Sequence, residues 1–173
     1  MKVINFWAGP GSGKSTTAAG LFYEMKKQGY EVELVTEYAK DMTWEERFNV
    51  LTDQLYVLAK QNRRIHRLNG KVEWVITDSP ILMGMMYKPK NYYDTFNQFI
   101  LDVWNSYDNI SFLLNRDFDY NPNGRNQSYE EALEIDAKIH RFLDDNDIDY
   151  HLVTNDPSVD RISYIMSFIK KMG

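Results

Sequence analysis

Residues Lys2–Trp7 read KVINFW, a β-branched and aromatic run that stops at Ala8-Gly9-Pro10-Gly11-Ser12-Gly13. A helical pattern over Lys14–Gln28 follows at once, with Gly29 as its C′ residue. A strand joined to a helix through so many glycines needs a tight turn with exposed backbone N–H groups, next to the positive end of a helix. No other stretch limits the fold as strongly. It calls for a buried strand, a helix laid back across it and an anion in the turn between them.

The rest of the chain repeats that unit. Strand-like runs fall at Glu31–Val35, Lys71–Thr77, Asn109–Leu114 and Asp149–Val153. Between and after them lie helical patterns at Thr43–Asn69, Tyr92–Tyr107, Ser128–Asn146 and Pro157–Lys171. Ser128-Tyr129-Glu130-Glu131 reads as a capping box, and Pro157 suits a first helical turn. Five strands separated by crossover-length helices predict an α/β fold with a parallel sheet covered on both faces. Ligands of such sheets bind at the carboxyl ends of the strands, so the residues just after each strand carry the functional reading.

Composition removes several classes of function. At 173 residues the chain predicts one domain spanning 1–173. The net charge of −5 disfavours a generic nucleic-acid binder held by a basic surface, though not a local basic groove. The absence of cysteine excludes disulfides and thiolate zinc or redox sites and fits a reducing compartment. No apolar run reaches the length of about 20 residues that a membrane span needs, and the first residues lack a signal-peptide core. A cytoplasmic protein with no membrane partner is expected.

The turn after the first strand matches the Walker A P-loop, with Ala8 where the strict pattern has glycine. Gly9, Gly11 and Gly13 supply backbone freedom, and Ser12 and Thr16 complete the phosphate-binding loop. Lys14 would reach the β- and γ-phosphates, and Ser15 would ligate Mg²⁺. ATP with Mg²⁺ is the expected ligand pair. After the second strand, Glu37 is placed to accept a proton from an attacking hydroxyl or to hold Mg²⁺ through water; a solvated loop glutamate is the alternative. Lys40 and Arg47 could bind a substrate phosphate or serve as surface charges. After the third strand, Asp78 fits a Walker B role near the metal, or else an Asx turn with Ser79-Pro80. Ser79 occupies the position where a hydrolysing motor commonly carries an acid.

After the fourth strand, Arg116 and Arg125 lie nine positions apart in a polar segment, 116–127. The segment reads as a lid whose guanidinium forks grip phosphate, or as an ordinary exposed loop. After the fifth strand, Asn155 could contact the nucleotide base or cap the last helix. Gln54 and Gln61 could read a base edge, although solvated glutamines are the commoner outcome. Met83, Met85 and Met86 could wall an acceptor site or fill core. His66, His140 and His151 are scattered, so no metal cluster is argued.

Taken together, these residues resemble the P-loop nucleoside and nucleotide kinase group. The likeness extends to the nicotinamide riboside kinase domain of NadR-type proteins and to small phage and bacterial ATPase/kinase proteins. It rests on Gly9–Thr16, Glu37-Tyr38-Ala39, Thr77-Asp78-Ser79 and a lid beginning at Arg116. The resemblance implies sheet order 2-3-1-4-5, Glu37 or Asp78 facing the acceptor hydroxyl, and lid arginines on the phosphates. Asp78-Ser79 departs from the Asp-Arg of thymidylate-kinase-like members, so thymidylate specificity is not carried over. Dimers occur in this group, which leaves a homodimer open. The expected activity is transfer of the γ-phosphoryl of ATP to a nucleoside- or nucleotide-like acceptor. The alternatives are a DNA-directed kinase, acting on a polynucleotide 5′-hydroxyl or a hydroxymethylated base, and a regulatory P-loop NTPase.

Overall fold

The computed structural model describes residues 1–116, 128–153 and 160–172. Five parallel strands form one sheet: β1 (Lys2–Trp7), β2 (Val32–Val35), β3 (Trp74–Thr77), β4 (Asp108–Leu114) and β5 (His151–Val153). Their order is β2-β3-β1-β4-β5, as the resemblance implied. β1 is central and pairs with β3 on one side (Ile4 beside Ile76) and β4 on the other (Ile4 beside Ile110). The connection after β1 leads to a helix on one face of the sheet and those after the neighbouring β3 and β4 lead to helices on the other, so the turn after β1 lies at the switch point where such sheets bind ligands.

Alternation along β1 and β4 explains why helices cover both faces. Ile4, Phe6, Ile110, Phe112 and Leu114 point into one apolar cluster with Leu21, Met25, Ile165 and Ile169. Val3, Trp7 and Leu113 point into the other with Leu58, Ile100, Ile139 and Leu143. The first cluster is closed by α1 (Lys14–Lys27) and α7 (Arg161–Met172), the second by α3 (Gln54–His66), α5 (Phe96–Asn105) and α6 (Tyr129–Asp145). The buried side-chain donors of Trp7 and Asn5 are paired inside these layers. Trp7 Nε1 donates to Ser111 Oγ at 3.0 Å, and Asn5 Nδ2 donates to Val3 O and Asn109 Oδ1.

The helix expected over Thr43–Asn69 is not continuous: α2 (Tyr38–Trp44) begins before that span and ends just inside it, and a 3₁₀ turn (Phe48–Thr52) and α3 follow. Glu46 adopts a φ of 56°, which ends the first piece. Asp53 then starts the third by accepting the N–H of Tyr56 at 3.2 Å. The interruption turns the apolar spacing of Phe48 and Leu55 outward, where both are exposed. A short helix, α4 (Met83–Tyr87), fills the stretch after Pro80 where no element was expected. The predicted capping box is present: Ser128 Oγ accepts from Glu131 N, and Glu131 Oε2 accepts from Ser128 N. Among the described residues no helix is long and apolar enough to cross a membrane.

Phe112 is fully buried and touches the rings of Phe6, His151 and Phe168, which joins the centre of the sheet to its edge and to α7. Phe112→Ala is expected to cost about 3–5 kcal/mol in a denaturant-unfolding measurement, because the cavity opens between rings that cannot collapse onto it.

Candidate active site

The carboxyl ends of β1, β2, β3 and β4 bring the chemistry together. After β1, Gly11 and Gly13 hold φ of 86° and 81°, values that only glycine adopts without strain. Gly13 sits as the residue before α1, so the helix begins at Lys14 with its free N–H groups facing the loop. Gly9 is different. Its φ is not positive, so the freedom expected there is not what the position uses. A Cβ on Gly9 would lie 2.5 Å from Asp136 Oδ1 and 3.0 Å from the carbonyl oxygen of Ala132. The missing side chain lets α6 press against the loop.

Lys14 is half-buried and folds back over the loop, donating to the carbonyls of Ala8 at 2.7 Å and Gly9 at 3.1 Å. Removal from water lowers its pKa, while Glu37, Asp78 and Asp136 push it back up and Arg116 adds to the lowering. The next residue, Ser15, is exposed, and its hydroxyl donates to Asp78 Oδ2 at 2.5 Å.

Asp78 directly follows β3 in a buried position, with Oδ1 lacking any hydrogen-bond partner. The local turn is made by Thr77, whose Oγ1 accepts the Ser79 N–H at 3.1 Å. Of the two readings of Asp78, the Asx turn is therefore displaced, and the carboxylate faces Ser15. A hydroxyl and a carboxylate in contact, with one carboxylate oxygen unsatisfied, form a hard-oxygen donor set that suits Mg²⁺ completed by phosphate and water. Among the described residues no group of three or more His, Asp or Glu could hold a metal unaided.

Glu37 follows β2 as the residue before α2 but makes no capping bond. Its carboxyl is half-buried, and desolvation raises its pKa against the pull of Lys14, with Asp78 adding to the rise. The solvated-loop alternative does not describe it. Gln61 fixes this junction from α3. Its Oε1 accepts the Tyr38 N–H at 2.9 Å, and its Nε2 reaches Thr36 O at 3.4 Å and Thr77 Oγ1 at 3.5 Å. Gln54 is buried as well and donates to Leu51 O. Neither glutamine is the solvated residue expected. Lys40 is exposed, and Arg47 pairs with Glu45 at 3.3 Å. Met83, Met85 and Met86 pack at the edge of the second apolar cluster.

Arg116, just past β4, has a side chain only 8% exposed. Its Nε and Nη2 donate to Asp136 Oδ2 at 3.0 and 2.7 Å, and its Nη1 donates to Pro10 O at 2.9 Å. The remainder of the expected lid, 117–127 with Arg125, and the base contact Asn155 lie outside the described residues.

Two site residues escaped the sequence reading. Arg161 opens α7 and donates to Ser12 O at 3.1 Å, Thr17 Oγ1 at 3.2 Å and Asn115 O at 3.0 Å, tying the P-loop to the end of β4. No motif marks it. Asp136 had a signal: it is a charge four residues after the buried Ala132 and three before the buried Ile139, on the inward stripe of α6.

A family model described as an AAA domain matches residues 3–161. The chain belongs to this AAA domain family. No curated protein sequence matches it. Solved structures share the fold of this AAA domain. A deoxyadenosine kinase from M. mycoides with dCMP and dCDP bound superposes with a TM-score of 0.60 at 20% identity, over 99% of this chain and 100% of its own. A thymidylate kinase from Ehrlichia chaffeensis gives 0.62 at 18% identity, over 99% and 98%. A NadR protein in complex with NR gives 0.75 at 17% identity, over 98% of this chain and 51% of that one. The AAA domain thus has the three-layer P-loop architecture of these kinases.

The raised pKa of Glu37 has a sign that can be checked. Ionising this carboxyl costs stability in the folded state. The stability present below the unfolded value, near about 4.3, is lost as pH rises through the higher folded value. Glu37→Gln should therefore melt close to wild type below pH 4 and above it at pH 7–8. Thermal denaturation across that range tests this; an offset that does not change with pH would contradict it.

Proposed function

We propose that this AAA domain is an ATP-dependent kinase, one domain spanning 1–173, that transfers a γ-phosphoryl group to a hydroxyl or phosphate of a nucleoside- or nucleotide-like acceptor. The observation that carries the reading is the meeting of Lys14, the Ser15–Asp78 pair and the desolvated carboxyl of Glu37 at one end of the sheet. A second, water-shielded carboxyl within the electrostatic reach of Lys14 and Asp78 suits activation of an attacking hydroxyl. The fold shared with a deoxyadenosine kinase, a thymidylate kinase and NadR supports the same reading.

The residues divide the work by their chemistry. Lys14 exchanges the carbonyls of Ala8 and Gly9 for oxygens of the β- and γ-phosphates, a charge-assisted bond in place of a neutral one. The N–H groups of Gly11, Ser12, Gly13, Ser15 and Thr16 line the loop and helix end that receive the anion. Ser15 and Asp78 hold Mg²⁺, which neutralises charge on the phosphate oxygens when bound. Glu37 takes the proton at its carboxylate from the acceptor hydroxyl. Its raised pKa brings it closer to working pH, where a general base is most effective. Arg116 supplies a fixed positive charge beside the loop, with Arg125 proposed as a second. Asn155 is proposed at the base. Positioning and charge balance account for most of the catalysis that phosphoryl transfer needs.

Labelled ATP offered with nucleosides, nucleotides and oligonucleotides in parallel tests the reading, and label should pass to a free nucleoside or nucleotide. Label on oligonucleotides alone would favour a DNA-directed kinase. Lys14→Ala should lower transfer by at least about 100-fold while leaving the far-UV spectrum unchanged, as expected for loss of a preorganised charge on the phosphates. Wild-type turnover in that variant would overturn the P-loop assignment.

A further inference from the structure

The second carboxylate oxygen of Asp136 grips Arg116 while the first accepts a hydrogen bond from the loop itself. Gly9 N–H donates to Oδ1 at 2.6 Å, and Arg116 donates twice to Oδ2. Arg116 closes the circuit by donating to Pro10 O, one residue along from Gly9. One side chain on α6 therefore holds both the entrance of the P-loop and the cation beside it. The packing around it is built for this contact. Gly9 has no Cβ where Asp136 stands, and the neighbouring Ala132 is fully buried, so the α6 backbone reaches the loop.

We propose that Asp136 is a positioning residue for the phosphate site. It fixes the Arg116 guanidinium and the first turn of the P-loop as one unit before nucleotide arrives. The proposal rests on the kinase reading only in taking the loop as a triphosphate site. A carboxylate is suited to the task because its two oxygens accept from two partners at once, and because a charge-assisted bond holds a guanidinium in a set plane. The cost is a negative charge near the phosphates. Arg116 and Lys14 offset it, and Asp136 is among the groups that keep Lys14 protonated. An arginine left to find its own rotamer would have to be ordered on binding, and each such side chain ordered at that stage weakens affinity.

The first arm of the test reads the latch without any ligand. Gly9→Ala puts a methyl group 2.5 Å from Asp136 Oδ1 and should lower the melting temperature of the nucleotide-free chain. In an Asp136→Ala background the same Gly9→Ala change should cost clearly less, since only the 3.0 Å contact with Ala132 O remains. Strictly additive losses would overturn the latch. The second arm reads affinity by calorimetry, with tripolyphosphate and ATP, each with Mg²⁺. Asp136→Ala should weaken both by about tenfold, the scale of one lost charge-assisted bond. In an Arg116→Ala background the same substitution should add little. Asp136→Asn keeps an acceptor for Gly9 N–H but turns an amide NH2 group toward the Arg116 guanidinium, so it should melt below wild type and bind weakly. Wild-type affinity in both Asp136 variants, or full additivity with Arg116→Ala, would overturn the positioning role. A wild-type chain that binds neither tripolyphosphate nor ATP would overturn the proposed function, while the nucleotide-free melting cycle would still decide whether Asp136 holds the loop.

Discussion

A parallel strand buried on both faces can expose chemistry only where it ends. β1 is such a strand: Val3, Ile4, Phe6, Trp7 and Ala8 are all essentially inaccessible, and it is paired on both sides. The turn that follows has to leave the sheet at its centre and at once start a helix that returns across it. Gly11 and Gly13 make that turn feasible at positive φ. Once the turn is in place, the strands on either side deliver their own carboxyl ends to it. Asp78 comes from β3, Glu37 from β2 one strand further out, and Arg116 from β4 on the opposite flank. The site is therefore a property of strand order, and each functional residue inherits its place from a hydrogen-bonded ladder well away from it.

The charge arrangement follows the same logic. Lys14 stands among Glu37, Asp78 and Asp136, with Arg116 as the other cation of the group. Among the described residues, Lys14, Arg116, Glu37, Asp78 and Asp136 share a region partly removed from water, and Arg161 reaches the same loop through Ser12 and Thr17. Mixed charge of this kind agrees with the proposed guest, an anion that would arrive with its own divalent cation. The acidic balance of the whole chain, −5, is then no obstacle to phosphate binding, because the local field at the loop and not the sum over the surface decides which guest is held.

The sequence made the strands and the P-loop readable because short apolar runs and the glycine-rich junction leave marks on neighbouring residues, while the strand order came only from the resemblance to P-loop kinases. Ser15 and Asp78 were nameable for the same reason, each standing at a fixed offset from a strand end. What stayed hidden depends on contacts far apart in the chain. Gln61 reads as a surface helix residue until α3 is seen to press it against the Glu37–Tyr38 junction. Gly9 reads as a flexible loop residue until α6 arrives beside it. Arg161 lies 149 positions from the serine whose carbonyl it binds, and no local pattern records that pairing. The break in the Thr43–Asn69 helix stayed hidden because the positive φ of Glu46 is a backbone choice with no compositional signature.

The Arg161 contact has a further consequence for how the protein is made. The phosphate loop is synthesised well before the guanidinium that fastens Ser12, Thr17 and Asn115 together, which comes from α7. Lys2 repeats the arrangement at the foot of the sheet, where its ammonium reaches the carbonyl of Met172. The nascent chain can thus pair β1 with β3 and β4 while the loop is still unfastened. The loop takes its final shape only once α7 has been made, which joins the shaping of the site to the docking of that helix.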